Sequence, residues 1–244
     1  MNRTKADRAL AALRAFYEST LDDVLARHLR PGAESFPVDF FHSTVREVPA
    51  YRGFLQGRGV DPRAVRSIDD FARVPHTTKE NYHRAFPLDQ LCRGGRLEDC
   101  DFVAVSSGST GEPAVWPRFV ADEIGTTTRF EQVLADAMAA STRRTLAVIC
   151  FALGSWVGGM YTMAACRHLA AKGYPITVVT PGNDRAEILR VVRALAPAFD
   201  EVVLFGYPPF LKDVVDAGRA DGLDWSRFSV RLVTAGEVFS EEWR

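Results

Sequence analysis

The sequence predicts an α/β protein, with a helical amino-terminal region followed by βαβ layers around a mostly parallel sheet. Three observations carry this. Beyond residue 100, short apolar runs alternate with amphipathic stretches. The runs start roughly 25 to 30 residues apart, the span of a strand with its crossover helix. They are apolar without alternation, as in strands covered on both faces. Before residue 101 the apolar residues instead recur at three- and four-residue spacing, the stripe of amphipathic helices. We therefore expect residues 1–100 to form a helical region packed on the sheet, and residues 101–244 to form the α/β region.

The elements follow in order. Leu10, Leu13, Phe16, Tyr17, Leu21, Val24, Leu25 and His28 read as one amphipathic helix ended by Pro31-Gly32. Short helices come next, one capped by Ser67 and one opened by a capping box of Thr77 and Glu80. His76 and His83 in this stretch read as surface or cap residues. The run 102–105 enters a Gly/Ser/Thr loop, and Ala114-Val115-Trp116 leaves it. Residues 127–140 read as a helix, 146–151 as a buried strand, 159–171 as a helix and 176–179 as a strand. Residues 185–195 follow as a helix capped by Asn183 or Asp184, then 202–205 as a strand, 209–217 as a helix and 230–233 as a last strand. Ser240 looks like an N-cap with Glu241-Glu242 as a solvated first turn and Trp243 as a packing residue. A βα unit ending as its helix opens leads us to expect a chain truncated at its carboxyl end.

Composition narrows the function classes. In 244 residues, 47% are hydrophobic and 25% charged, which excludes a disordered chain, a collagen and a small disulfide scaffold. Thirty basic against 31 acidic residues give a net charge of -1, no footprint for nucleic acid or an anionic membrane. Residues 1–8 are polar and resemble no secretory signal. The most apolar stretch, 146–163, is interrupted by glycines and a serine and reads as soluble core. A reducing cytoplasm is the expected location. Cys150 and Cys166 sit in apolar runs and read as small core residues. Cys92 and Cys100 flank a loop; a metal site there is the less favoured alternative, with no histidine close in sequence.

The segment richest in chemistry is Ser106-Ser107-Gly108-Ser109-Thr110-Gly111-Glu112-Pro113, set between two short strands. Its glycines permit close backbone approach, and its hydroxyls and amides could wrap a polyphosphate. The competing reading is a flexible hairpin loop. It is neither a Walker A loop, lacking the Gly-Lys-Ser/Thr ending, nor a dinucleotide fingerprint. Ser106 and Ser107 lack the elbow of an acyl nucleophile.

In residue order, however, this loop resembles the phosphate-binding signature of adenylate-forming enzymes, S-S/T-G-T/S-T-G-K-P. The resemblance extends upstream through Pro49-Ala50-Tyr51-Arg52, Ser67-Ile68-Asp69-Asp70-Phe71, Val74-Pro75-His76-Thr77-Thr78-Lys79-Glu80-Asn81 and Phe86-Pro87, similar to the phenylacetate–coenzyme A ligase family and its capsule-biosynthesis relatives. Downstream, Gly154-Ser155-Trp156-Val157-Gly158-Gly159 is similar to that family's aromatic Gly-Gly turn. Ala235-Gly236-Glu237-Val238-Phe239-Ser240-Glu241-Glu242-Trp243-Arg244 resembles its G-A-E-P-W-S-E-E-M-R segment.

The resemblance implies part of the large N-terminal domain of an adenylate-forming enzyme. Such an enzyme uses ATP and Mg2+ to turn a carboxylate into an acyl-adenylate, then passes the acyl group to a thiol, usually coenzyme A. By position, Ser106, Ser107, Gly108, Ser109, Thr110 and Gly111 would hold the ATP phosphates. Ala235, Gly236 and Glu237 would line the adenine and the reacting carboxylate, with Glu237 near the metal. Trp156, Gly158 and Tyr207 would line the acyl pocket and suit a flat or apolar acid. From the residues alone, Trp156 could equally be a core aromatic, Tyr207 a loop plug and Glu237 a helix cap. The partners implied are a small carboxylic acid and ATP, with a homodimer left open and no dedicated metal site. Attack on a phosphorus needs positioning and charge neutralisation more than a nucleophilic side chain, and no catalytic residue is assigned. Two departures stand out: Glu112 replaces the family's lysine, and Ala235-Gly236 reverses the usual order. The family's further nucleotide motifs and small C-terminal domain have no counterpart here, so this chain is not expected to catalyse the full reaction. The alternative is a non-catalytic nucleotide- or adenylate-binding module, or an inactive remnant of such a ligase.

Overall fold

The computed structural model describes residues 5–30, 32, 35–106 and 113–240. Four helices open the chain: α1 (Lys5–Glu18), α2 (Leu21–Leu29), α3 (Phe36–Glu47) and α4 (Pro49–Gln56). The single helix expected over residues 10–28 is thus two. Thr20 breaks it: its side chain accepts from the Asp23 amide at 3.1 Å while the Asp23 carboxylate accepts the Thr20 amide at 2.9 Å. That reciprocal capping box starts a helix inside an unbroken apolar stripe. Pro49 at the first turn of α4 lacks the N–H that a helix start would leave unpaired. Phe41, Phe54, Leu55 and Val65 form a separate small core, with Tyr51 and Tyr82 packed around it.

Short turns link this region to the sheet. The expected capping box sits one residue on, at Thr78 and Asn81, over the wide turn Lys79–His83. Ser67 is not an N-cap. Instead the Asp70 carboxylate reaches back and accepts the Arg66 and Ser67 amides at 2.9 and 3.0 Å, anchoring the turn from inside it.

A hairpin of β1 (Phe102–Val105) and β2 (Val115–Arg118) precedes the main layer. That layer contains α5 (Val120–Met138), β3 (Thr145–Ile149), α6 (Val157–Lys172), β4 (Ile176–Val179), α7 (Arg185–Leu195), β5 (Glu201–Gly206), α8 (Pro208–Ala220) and β6 (Val230–Thr234). Strands β3 to β6 pair in parallel in the order β4-β3-β5-β6. The absence of alternation has the cause the sequence implied. Ala147, Ile149, Val203 and Phe205 face α5, α6 and Phe16 of α1. Leu146, Val148, Val202 and Leu204 face α7 and α8. Cys150 and Cys166 are buried in these two cores. Because β4 lies on one side of β3 and β5 on the other, the chain reverses its winding between β3 and β5. The crevice at the carboxyl ends of those strands is where open α/β sheets take ligands.

Candidate functional site

A cleft of about 1330 Å³ opens at that point. Four stretches distant in sequence meet on its wall: Ser106, Trp156 with Gly158, Tyr207, and Ala235-Gly236-Glu237. Each is placed by a strand end. The Val105 amide donates to Ser155 at 2.8 Å, pinning the hairpin to the start of α6. Trp156 sits at the N-cap of α6, and Tyr207 at that of α8, directly after β5. The Ala235 amide donates to Gly206 at 3.3 Å, drawing the end of β6 beside β5. Two helix N-termini therefore border the cleft, a favourable environment for negative charge.

Two glycines are dictated by close approach. A Cβ on Gly159 would stand 2.2 Å from the Ala152 carbonyl oxygen, so only glycine lets α6 begin tight against the turn after β3. Gly236 has φ +100, a conformation that L side chains rarely adopt, and it turns the chain past the Tyr207 ring. The Tyr207 hydroxyl then donates to the Glu237 carboxylate. That bond, more than burial, raises the Tyr207 pKa above its ordinary value. Trp156 and Tyr207 are 37% and 41% exposed, so both rings lie on the cleft surface, outside the core. No described helix follows Glu237 for it to cap.

Of the loop residues expected to hold phosphate, Ser106 is the one the structure describes. Its amide donates to Ala114 at 3.0 Å, and its hydroxyl accepts the Ala114 amide at 3.2 Å, closing the loop's base at the cleft edge. Ser107, Gly108, Ser109, Thr110, Gly111 and Glu112 lie outside the described residues, as do Glu241, Glu242, Trp243 and Arg244.

The cleft also contains residues that the sequence reading missed. Asp122, Thr126 and Phe130 project from successive turns of α5, and Tyr161 from α6. Tyr161 stands three residues past Gly158, so helical spacing could have found it. Arg118, the last residue of β2, carries no motif. Glu47 and Arg93 bridge at 3.1 Å across the helical side of the cleft. Cys92 and Cys100 line it too. Burial first, then the neighbouring Cys100, pushes the Cys92 thiol up to about 12, and burial also raises Cys100. Among the described residues no third His, Cys, Asp or Glu joins them. His83 packs edge-on against Trp116 at 4.4 Å; burial lowers its pKa, helped by Arg118 and Lys79.

The comparisons with known proteins agree with this architecture. No family model matches the chain. In sequence, 202 residues are 29% identical to a phenylacetate–coenzyme A ligase of Thermus thermophilus, and 197 residues are 25% identical to one of Aromatoleum evansii. Each match covers 80% of this chain, and the chain spans only 41% of each relative. In structure, the open conformation of a 2-hydroxyisobutyryl-CoA ligase, in complex with 2-HIB-AMP and CoA, matches at TM-score 0.67 and 18% identity. That match covers 82% of this chain and 42% of that one. Its thioesterification state matches at TM-score 0.64, covering 95% and 44%. This second likeness is one of fold. The resemblance to the N-terminal part of the phenylacetate–coenzyme A ligases, seen first in the motifs, thus extends over most of the chain.

Proposed function

We propose that the chain is the nucleotide- and acyl-binding portion of an ATP-dependent acid–thiol ligase, one that forms an acyl-adenylate and passes the acyl group to coenzyme A. One observation carries the reading. Residues assigned to three separate roles, from segments as far apart as Ser106 and Glu237, line a single cleft at the strand-order reversal.

The chemistry suits the parts. The Ser106 to Gly111 loop would hold the triphosphate with its amides and hydroxyls. Ala235 and Gly236 would pass close to the adenine because Gly236 leaves no side chain there. Trp156 and Tyr207 would present flat apolar faces to the acyl body, while Gly158 leaves room beside them. The N-termini of α6 and α8 would favour the carboxylate and the charge that builds as it meets the α-phosphate. The single carboxylate of Glu237 fits a magnesium ion, which takes one or two protein carboxylates and otherwise phosphate and water. The ion's contribution when bound is to neutralise phosphate charge. Tyr207, by donating to Glu237, holds that carboxylate toward the cleft. All four cysteines are free, which suits a reducing cytoplasm. A binding module without turnover is the second reading, favoured by Glu112, whose charge opposes a triphosphate.

The test is a thermal-shift titration of this chain with Mg-ATP and with AMP, followed by acid-dependent pyrophosphate exchange. Ligand that binds only the folded state must raise the melting temperature. Saturable stabilisation by nucleotide supports the nucleotide-binding reading, and acid-dependent exchange decides for the ligase over the binding module; no response to either nucleotide sinks both.

A further inference from the structure

The geometry points to Arg118 as a specificity-determining residue for the acyl end of the cleft, selecting acids that carry a second carboxylate remote from the reacting one. This rests on the acyl-binding reading above and names its substrate class.

The charges of the cleft are otherwise answered. Glu47 pairs with Arg93 at 3.1 Å. Asp122 accepts the Phe119 amide at 3.2 Å and caps α5. Glu237 accepts the Tyr207 hydroxyl. Arg118 is the exception: it is half-buried on the cleft wall, and no carboxylate among the described residues lies within 4.0 Å of it. Among the described residues its guanidinium makes a 3.4 Å contact to the carbonyl of the preceding Pro117 and lies within hydrogen-bonding reach of the Tyr161 hydroxyl, which leaves most of its five donors unused. A partly desolvated guanidinium with unused donors favours an anion, and its planar fork matches a carboxylate at two points.

Position separates this cation from the phosphate loop. In the hairpin, Val105 pairs with Val115 at the loop's mouth, whereas Phe102 pairs with Arg118 at its base. Three strand residues make that about 10 Å. Arg118 therefore stands away from the triphosphate end. The groups around it are flat: its guanidinium lies 5.2 Å from the Trp116 ring centre, Phe102 packs at 6.0 Å from Tyr161, and the Tyr161 phenol feels Arg118 as a neighbouring charge. Tyr161 is one helical turn beyond Gly158, so an acyl body passing Trp156 and Gly158 runs toward Arg118. Aromatic walls with one cation at the far end describe a pocket for a flat acid bearing a distal carboxylate.

The experiment is calorimetric titration of the 244-residue chain with phenylacetate, 4-carboxyphenylacetate and AMP, repeated on Arg118→Gln and Arg118→Lys. The expected result is a preference of about tenfold or more for 4-carboxyphenylacetate, as a charge-assisted pair supplies. Arg118→Gln should bring the two acids to similar affinity by weakening only the dicarboxylate, and Arg118→Lys should keep part of the preference. AMP binding should not change in either variant. If the two acids bind the native chain equally, if neither binds while AMP does, or if the preference survives Arg118→Gln, the role of Arg118 is overturned and the ligase reading stands. If neither acid nor AMP binds, both fall.

Discussion

The two ends of the same parallel strands differ in how their polar groups are answered. At the amino end, the buried Glu201 carboxylate lies 3.0 Å from Arg143 and closer still to Arg231. The contacts are ionic, since neither oxygen has hydrogen-bond geometry to a guanidinium. Beside it Asp200 takes the Arg144 amide at 3.0 Å and its guanidinium at 2.7 Å, and Arg231 donates to Ala137 at 2.7 Å. At the carboxyl end the helix N-termini, Trp156, Tyr207, Glu237 and Arg118 face a cleft. One end is closed by internal ion pairs and the other keeps donors and apolar faces open. Closed ion pairs and open donors are thus separated along the strand axis, the open ones at the carboxyl ends where α/β sheets take ligands.

The sharpest challenge to that separation is Glu201→Ala. It strips the closed end of its anion and leaves two arginines facing a void. Because both arginines keep access to water, we expect a loss of about 2–3 kcal/mol in urea denaturation, with nucleotide affinity of the folded protein unchanged. A loss under about 1 kcal/mol would mean that the amino end anchors nothing. Next is Gly159→Ala, which tests whether the open end also has a structural part. A Cβ placed 2.2 Å from the Ala152 oxygen forces the start of α6 away from β3, so about 1–3 kcal/mol should be lost and acid affinity should fall with it.

A pH titration probes the contact between the helical region and the hairpin, where His83 packs on Trp116. His83 is held below its ordinary value of about 6.5 by burial, then by Arg118 and Lys79, so the unfolded chain takes up the proton first as pH falls. Its contribution is complete above that value and declines as pH drops below it; His83→Gln should flatten the melting-temperature slope in that window. The smallest stability effect belongs to Glu237→Gln. At an exposed position it should shift folding by no more than about 0.5 kcal/mol. In nucleotide titrations the proposed function predicts that it weakens Mg-ATP more than AMP, because only the triphosphate would bring a metal to this carboxylate. Equal weakening of both would remove Glu237 from the metal's surroundings.

Much of the layer was legible in the residues. The helix over Arg185–Leu195 matches its expected bounds, with Asp184 as the cap accepting the Glu187 amide, because an N-cap and an apolar stripe are both local signals. The strand β5 extends one residue each side of its apolar run, taking in Glu201 and Gly206. A buried glutamate at a strand start is not a pattern that composition announces, since it is tolerated only when distant arginines arrive. The early helix was misjudged for the opposite reason: the stripe through α1 and α2 was continuous, and a two-residue cap at Thr20 outweighed it. The true start of α5 at Val120 lay ahead of its expected one, because Asp122 reaches back to the Phe119 amide where no conventional cap residue stands.

The site divides in the same way. By itself the sequence singled out the candidate segments, because glycine-rich loops, an aromatic before two glycines and a Gly-Glu pair after a strand are written in consecutive residues. Only the tertiary structure decided that the described parts of these segments share one wall, that Cys92 and Cys100 join them there, and that Arg118 is left without a described acidic partner. The reason is physical. Backbone conformation follows from neighbours a few bonds away. Burial and charge pairing depend on groups that strand order and helix packing bring together from opposite ends of the chain.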